Sequence, residues 1–183
     1  MMTQRNAVHS LTSGDLFEKA PGIFYTNGSF VHFDCGVISF LKDQARINVK
    51  HRARVCAHPS PDAEQHDMLI VSHRDTYVAP HRHLTKSESF LIVEGTATAL
   101  LFSEDGRNVE RLRMGSAGSG LPFFYRMPAQ QYHSLSIESE FLVFVEGTKG
   151  PFCSTDMENA PWAPAPEDSA AGRAFIESLR RKK

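Results

Sequence analysis

Pro80–Gly95 reads PHRHLTKSESFLIVEG, and this stretch decides the fold and the chemistry that the sequence predicts. His81 and His83 are two residues apart, so on a strand both imidazoles lie on the same face. Four residues separate His83 from Glu88 and suffice for a turn, after which the next strand returns the Glu88 carboxylate beside the histidine pair. Gly95 then gives this second strand a place to bend.

A fourth candidate ligand, His133, ends the turn-like sequence PAQQYH at residues 128–133. Three imidazoles and one carboxylate form a nitrogen and oxygen ligand set that suits a divalent ion of Fe, Zn, Mn, Ni or Co. An octahedral ion in this set keeps two open positions for water, dioxygen or a substrate oxygen. These histidines could instead make only structural hydrogen bonds, but the combined spacing favours one metal ion per chain.

Residues 54–147 contain short apolar and β-branched segments that are separated by turn sequences. Many short strands without intervening helices indicate an all-β sandwich or barrel. The predicted strands are Met68–Ser72, Thr76–Ala79, Ser89–Glu94, Ala97–Phe102, Val109–Met114, Phe123–Met127, Ser134–Ile137 and Phe141–Val145.

The N-terminal part is predicted to contain a hairpin and a short helix. Residues up to about Lys19 are expected to be loose or helical, and Asn27-Gly28 predicts a type I′ turn between residues 23–26 and 29–31. Residues 36–38 are expected to be extended, and Ser39 is expected to cap a helix from Phe40 to about Lys50. This hairpin is expected to add strands to the sheet or to a partner subunit.

The C-terminal part is predicted to be a proline-rich tail, residues 161–166, followed by a helix that Asp168 or Ser169 caps. Ala171, Phe175 and Leu179 would form its apolar stripe. We therefore divide the chain into an N-terminal extension that packs on the barrel (1–50), a metal-binding barrel (51–152) and a tail with a helix (153–183).

Composition and charge exclude several classes of partner. The 183 residues correspond to one ordinary domain, and a formal net charge of -1 provides no basic field for nucleic acid. The longest apolar runs are too short to cross a bilayer, and the N-terminus lacks an apolar signal core. Three widely spaced cysteines fit a reducing compartment. We expect a cytoplasmic protein without nucleic-acid or membrane partners.

The two histidine-containing sequences resemble the two motifs of the cupin superfamily. The spacing His81-x-His83-x4-Glu88-x6-Gly95 is similar to the first motif, and the sequence at residues 128–133 is similar to the second. This resemblance implies a cupin double-stranded β-helix, a small jelly-roll barrel with the metal ion inside it. Asp75 and Gln130 depart from the motifs, because glycine usually occupies both positions.

A wider stretch, residues 36–152, resembles the WbuC family of cupin-fold metalloproteins. The likeness lies in RARVCAH at residues 52–58, MLI at 68–70, PHRHLTKSESF at 80–90 and EGTKGPF at 146–152. That family is associated with bacterial surface-polysaccharide gene clusters, and the resemblance also favours a homodimer. It implies a fold and a metal site but no settled reaction.

Two residues are candidates for proton transfer. Tyr77 shares strand parity with His81 and His83, which would turn it toward the barrel interior; the alternative is a core tyrosine. Glu146 ends an apolar strand and would either form a salt bridge at the rim or lie beside the metal, and the family resemblance implies the second position. There it would act as a general base or orient a ligand histidine.

Five basic residues are candidates for substrate binding. Arg52, Arg54 and His58 precede the barrel and are expected to form a lip that recognises a carboxylate or phosphate, because guanidinium groups offer a bidentate fork. Lys86 in the ligand turn and Arg126 before the second motif are further candidates. The alternative for all five is a solvated surface position.

These observations and the family resemblance predict a cupin metalloprotein that acts on a small polar molecule, with a sugar derivative as one candidate, in surface-polysaccharide metabolism. An isomerase or lyase would use Glu146 or Tyr77 as the proton carrier, whereas an Fe(II)-dependent dioxygenase would bind O2 at the second open position of the ion. The alternative class is a non-catalytic metal-containing cupin that binds a sugar or serves as an accessory protein. A ligand-sensing regulator is less favoured, because no helix-turn-helix pattern is evident.

Overall fold

Two β-sheets face each other in the computed structural model, which describes residues 15–28 and 30–181. The larger sheet contains, in spatial order, β1 (Leu16–Ala20), β2 (Ile23–Thr26), β3 (Arg52–Cys56), β4 (Gln65–His73), β11 (Phe141–Lys149), β6 (Glu88–Glu94) and β9 (Phe124–Met127). The smaller sheet contains β12 (Met157–Asn159), β5 (His81–His83), β10 (Tyr132–Ile137), β7 (Thr96–Phe102) and β8 (Val109–Gly115). Two helices, α1 (Cys35–Ile47) and α2 (Ser169–Arg181), pack outside the sheets. The predicted all-β jelly roll with a C-terminal helix is confirmed.

Alternation along the strands separates the barrel interior from its outer face. On β11, Leu142 and Phe144 pack between the two sheets against Phe90 and Ile92 of β6. Val143 lies on the opposite face, against the apolar side of α1. Because side chains alternate along a strand, residues of β11 with even numbers point into the barrel. This parity also directs Glu146 into the interior.

The C-terminal helix covers the outer face of the smaller sheet. Ile176 and Leu179 of α2 are buried against Leu100 and Phe102 of β7. The Asp168 carboxylate accepts a hydrogen bond from the Ala171 amide, as expected for the helix cap. The buried stripe differs from the predicted one in that Ala171 is exposed and its neighbour Gly172 is buried.

The N-terminal hairpin turns at a different place from the predicted one. Its strands are β1 and β2, and the turn is Pro21-Gly22, where Gly22 has a φ of 73°. The Gly22 amide also donates a hydrogen bond to Glu18 Oε1 at 2.8 Å, which reinforces this turn. Asn27-Gly28 follows β2 as a loop, so this turn prediction was wrong. Residues 1–14 of the expected lead-in and Ser29 lie outside the described residues.

Helix α1 begins earlier than predicted, because a better cap precedes Ser39. The Asp34 side chain accepts hydrogen bonds from the amides of Gly36 and Val37, so residues 36–38 form the first turn instead of an extended segment. The Ser39 hydroxyl instead donates to the carbonyl of Cys35, four residues back in the helix.

Seven of the eight predicted strands overlap an observed strand, whereas Thr76–Ala79 is an irregular segment. The Thr76 hydroxyl donates to the carbonyl of His51, which holds this segment against the residue that precedes β3. Strands β1, β3 and β12 were not predicted. No helix within residues 15–28 and 30–181 is both long and apolar enough to cross a lipid bilayer. The division of the chain at residues 50 and 152 stays a prediction.

The bend at Gly95 provides a test of the fold. Gly95 has a φ of 89°, and a Cβ atom there would overlap the carbonyl oxygen of Phe141. We expect Gly95→Ala to lower the free energy of unfolding by about 3 kcal/mol, measured by chemical denaturation. Gly118→Ala is the matched control, because a Cβ atom at Gly118 would meet nothing within 4 Å. Equal stability of the two variants would contradict this register between β6 and β11.

Candidate metal centre

The candidate ligands meet where the two sheets approach each other. His81 on β5 pairs directly with His133 on β10 in the smaller sheet, and their ring centroids are 4.5 Å apart. Glu88 is the first residue of β6 in the larger sheet, where it pairs with Thr148 of β11. The turn between β5 and β6 therefore carries the chain from one sheet to the other and returns the carboxylate to the imidazoles.

Three of the candidate ligands, His81, Glu88 and His133, lie close enough together to share one small cation, and His83 borders this group through Glu88. One ligand atom from each of His81, Glu88 and His133 lies within 4.8 Å of the other two. His133 Nε2 is 3.0 Å from Glu88 Oε1, and His83 Nε2 is 3.4 Å from Glu88 Oε2. Ligand atoms that surround one ion at about 2.1 Å are separated by roughly 3–4 Å, so small side-chain adjustments complete the site.

Backbone carbonyls determine which nitrogen each histidine presents to this centre. His81 Nδ1 lies 2.9 Å from the carbonyl oxygen of Ala79, and His133 Nδ1 lies 2.9 Å from that of Gln131. A carbonyl oxygen only accepts, so both Nδ1 atoms carry the proton and donate it. The Nε2 atoms are then the ones directed at the shared centre, which is the arrangement of metal-binding histidines in general, and a bound ion would take the place of the proton with which His133 Nε2 donates to Glu88.

His83 is supported by a carboxylate from the C-terminal tail. Its Nδ1 is 3.7 Å from Asp156 Oδ2, a buried atom without a hydrogen-bond partner among the described residues. Asp156 Oδ1 accepts a hydrogen bond from the Thr85 amide at 2.9 Å, which places the aspartate next to the ligand turn. The sequence analysis missed Asp156, because it lies 73 residues beyond His83 and no local pattern marks it.

Gln130 keeps the backbone shape that glycine usually provides in the second motif. It has a φ of 67°, in the left-handed region, and its amide donates to the carbonyl oxygen of His83 at 2.6 Å. This hydrogen bond ties the turn before His133 to the strand that carries His81 and His83. Gln130 adopts this left-handed backbone at a higher free energy than glycine would, but the ligands keep their positions.

Mutual electrostatics favour an ionised Glu88 and a neutral His81. Burial opposes ionisation of Glu88, but hydrogen bonds to His133 and His83 outweigh it and place the pKa of Glu88 below its ordinary value. Burial, together with the charge of His133, lowers the pKa of His81 to about 4, so this imidazole is neutral near pH 7. Burial opposes a charge on His133, but its hydrogen bond to Glu88 outweighs this effect and raises the pKa of His133. A divalent ion that binds here would displace the proton between His133 and Glu88, and the carboxylate and imidazoles fit such an ion.

Glu146 lies in the barrel interior near the cluster, on the same face of β11 as Phe144. Burial raises the pKa of its carboxyl group to about 7, and the charge of Glu88 adds to this effect, while Arg54 and Arg52 oppose it. The structure therefore places Glu146 within electrostatic range of Glu88 and not in a salt bridge at the rim.

Tyr125 is a further polar group at the cluster, which the sequence analysis placed only within the predicted strand Phe123–Met127. It lies on β9 beside Phe90, and its hydroxyl donates to Glu88 Oε1 at 3.5 Å. Burial and the neighbouring carboxylates place the pKa of this hydroxyl well above its ordinary value, so it stays protonated. The pairing of β9 with β6, which the local sequence does not reveal, brings Tyr125 near Glu88.

Tyr77 does not face the cluster, and its predicted position was wrong. Its hydroxyl donates to the carbonyl oxygen of Pro164 at 2.8 Å, and its ring packs against Gly172 of α2. The parity argument failed because it assumed a regular strand through residues 76–79, which are irregular. Tyr77 instead anchors the C-terminal segment to the smaller sheet.

The five candidate substrate-binding residues occupy three different environments. Arg52 and Arg54 project into the barrel, since the alternate residues of β3, Ala53 and Val55, pack against α1. His58 is buried with its ring stacked on His66, at a centroid distance of 4.0 Å. The three residues therefore do not form one lip at the barrel entrance.

Lys86 and Arg126 lie outside the barrel. Lys86 Nζ donates to the carbonyl oxygen of Pro151 at 2.6 Å, and Arg126 Nη2 donates to the Ser87 hydroxyl at 3.1 Å. Arg126 also lines an open cleft of about 280 Å³ that reaches Glu88 from the outside. Both side chains stabilise the turn that leads to Glu88, and their role in substrate binding stays a prediction.

The contact between Asp156 and His83 generates a test of this centre. We expect Asp156→Asn to weaken binding of a divalent metal about 10- to 100-fold, since a neutral amide supports the imidazole less than a carboxylate does. The measurement is titration of the metal-free protein with Zn(II) or Co(II). Asp75→Asn is the matched control, because Asp75 lies 3.3 Å from a different histidine, His73. The same loss of affinity in both variants would contradict a specific role for Asp156.

Comparison with known proteins leads to the same architecture. Residues 33–114, less than half of the chain, match a family model described as Domain of unknown function (DUF6016). Among curated proteins, none matches the sequence significantly.

Solved structures share the fold at low sequence identity. The capsular polysaccharide assembling protein CapF from Staphylococcus aureus is similar with a TM-score of 0.51 and 16% identity, over 62% of this chain and 32% of that chain. A variant of oxalate decarboxylase from Bacillus subtilis matches with a TM-score of 0.46 and 16% identity, over 59% of this chain and 27% of that chain. The chain thus spans about a third of the length of CapF, and identities this low bear on the fold alone. The two facing sheets and the likeness to CapF identify the chain as a cupin-fold protein.

Proposed function

We propose that His81, His83, Glu88 and His133 hold one divalent transition metal ion and that the chain is a metal-dependent enzyme for a small polar substrate. The observation that carries this proposal is the direction of the imidazoles. Two Nδ1 protons are held by backbone carbonyls, so the opposite nitrogens are directed toward a buried carboxylate. Purely structural histidines have no need to converge on one point.

The charge of the site favours a cation with open positions. Three neutral imidazoles and one carboxylate leave a divalent ion with a net charge of about +1. When bound, such an ion supplies Lewis acidity, which polarises an oxygen atom of the substrate. The ligand set does not distinguish among Fe, Zn, Mn, Ni and Co.

Glu146 is the proposed proton carrier. Because burial and Glu88 raise its pKa to about 7, both the acid and the carboxylate form are present at neutral pH. Its carboxylate oxygen can therefore accept a proton from carbon next to a polarised oxygen and return that proton to another position. This is the chemistry of an isomerase or lyase. Tyr125, which donates toward Glu88, would help to hold that ligand in position.

A sugar-derived substrate in surface-polysaccharide metabolism is the finer part of this proposal. Its support is the resemblance to the WbuC family and the fold shared with a capsular polysaccharide assembling protein. A dioxygenase and a non-catalytic sugar-binding cupin use the same ligand set, and the experiments below distinguish them. The homodimer and the cytoplasmic location stay predictions.

Elemental analysis of histidine variants tests the metal site. We expect protein purified without an affinity tag to contain one transition metal ion per chain and His81→Ala to contain almost none. His73→Ala is the control, because His73 contacts Phe141 on the outer side of the sheet, away from the cluster. Equal metal content in both variants would show that the imidazoles of the cluster are structural.

Glu146→Gln separates catalysis from metal binding. We expect this variant to retain the metal, because Glu146 lies beside the ligands and is not one of them, and to lose proton transfer. Metal-loaded protein is incubated with sugar acids and sugar phosphates in D2O, and NMR measures deuterium incorporation at carbon. We expect incorporation with the native protein and at least a hundredfold slower exchange with the variant.

Three other outcomes would change the assignment. Loss of the metal from Glu146→Gln would make that residue a ligand. Consumption of O2 without exchange would favour the dioxygenase, and binding without either reaction would favour the non-catalytic module.

A further inference from the structure

Two arginine side chains enter the barrel interior from β3. Arg52 and Arg54 share a face of this strand with Cys56, which belongs to the core between the two sheets. The apolar residues of β3 on the opposite face, Ala53 and Val55, pack on α1. Arginine at two successive inward positions is unusual for a core, because burying an unpaired charge carries a large desolvation penalty.

Neither guanidinium has an acidic partner among the described residues. No carboxylate there lies within 4.0 Å of Arg52 or Arg54, although Arg82, Arg113 and other arginines form such pairs. Arg54 Nε is buried and has no hydrogen-bond partner within the described part of the chain. A buried guanidinium nitrogen without an acceptor costs free energy, so this group can take an acceptor from beyond the described residues.

The arginines lie on the same side of the barrel as the proposed proton carrier. Arg54 on β3 pairs with Ile70 on β4, and Ile70 pairs with Phe144 on β11, two residues before Glu146 on the same face of the sheet. Neighbouring strands are roughly 4.8 Å apart, so two strand spacings separate β3 from β11, and the long side chains of Arg54 and Glu146 can approach each other across them. The charges of Arg54 and Arg52 act on Glu146, which in turn lies within range of Glu88.

Glu146 offsets only part of these two positive charges, and no carboxylate of the described residues forms an ion pair with either arginine. The charge of Glu88 is already matched by hydrogen bonds to His133 and His83. Burial and the like charge of Arg54 both lower the pKa of Arg52, which shows that the two guanidinium groups lie within range of each other. A group that carries negative charge on several oxygens would relieve this repulsion and accept hydrogen bonds from both guanidinium groups.

We propose that Arg52 and Arg54 form a binding site inside the barrel for an oxyanion group, a carboxylate or a phosphate, of the molecule on which the chain acts. This inference rests on the proposed function for its link to the metal centre, but the anion site itself stands on the arginines alone. It replaces the expected lip of Arg52, Arg54 and His58, because the His58 ring is stacked on His66.

Anion binding by metal-free protein tests this site directly. Inorganic phosphate and malonate are titrated separately by calorimetry at constant ionic strength, with chloride as the balancing anion. Using metal-free protein prevents either probe from binding to the ion itself. We expect at least one probe to bind the native protein and to bind Arg52→Gln and Arg54→Gln at least tenfold more weakly, with the preferred probe distinguishing phosphate from carboxylate. Arg107→Gln is the matched control, since Arg107 is exposed and pairs with Asp105.

Thermal unfolding of the same variants separates a binding role from a structural one. Removing an unpaired buried charge is expected to leave the melting temperature unchanged or to raise it, whereas removing a structural arginine lowers it. Equal anion affinity in all variants, no binding of either probe to the native protein, or loss of folding in both glutamine variants would overturn the anion site.

Metal content measured on the same variants distinguishes failure of the proposed anion site from failure of the proposed metal centre. Normal metal loading without anion binding would reject only the anion site. Anion binding by a protein that never loads metal would reject only the metal centre.

Discussion

A buried carboxylate surrounded by imidazoles is the constraint on which this structure depends. Glu88 has only 6% of its side chain exposed, and an isolated carboxylate at such a place would be strongly destabilising. Hydrogen bonds from His133 and His83 compensate for its burial, and the backbone carbonyls of Ala79 and Gln131 orient two of the imidazoles. The jelly roll brings these groups together, because Glu88 lies on one sheet and the histidines lie on the facing sheet.

The C-terminal segment completes this centre and is not merely an appendage. Strand β12 pairs with β5, the strand that carries His81 and His83, and Asp156 at its start reaches the far side of the His83 ring. Farther along, Tyr77 and α2 hold the segment against the smaller sheet. Because these contacts end on the strand that carries His81 and His83, the proposed affinity for a cation would depend on residues far from the two motifs in sequence.

Local patterns in the sequence predicted the barrel and the cluster of His81, Glu88 and His133, because strand periodicity and ligand spacing are local properties. They failed where a distant contact decides the outcome. The hairpin turns at Pro21-Gly22 and not at Asn27-Gly28, and β2 pairs with β1 on one side and with the distant strand β3 on the other. Strand parity misplaced Tyr77 because residues 76–79 leave the sheet.

Asp156 and Tyr125 could not be recognised, because only the folded chain brings them to the ligands. The inward direction of Arg52 and Arg54 likewise depends on a distant contact, because α1 packs against the other face of β3.

Anomalous diffraction from crystals of the metal-loaded protein, recorded on both sides of the absorption edge of the bound metal, tests the central claim most directly. The account predicts one strong peak per chain about 2.0–2.3 Å from the Nε2 atoms of His81, His83 and His133 and from a carboxylate oxygen of Glu88. A peak elsewhere on the surface, or no peak while the four side chains keep the hydrogen bonds described above, would contradict it.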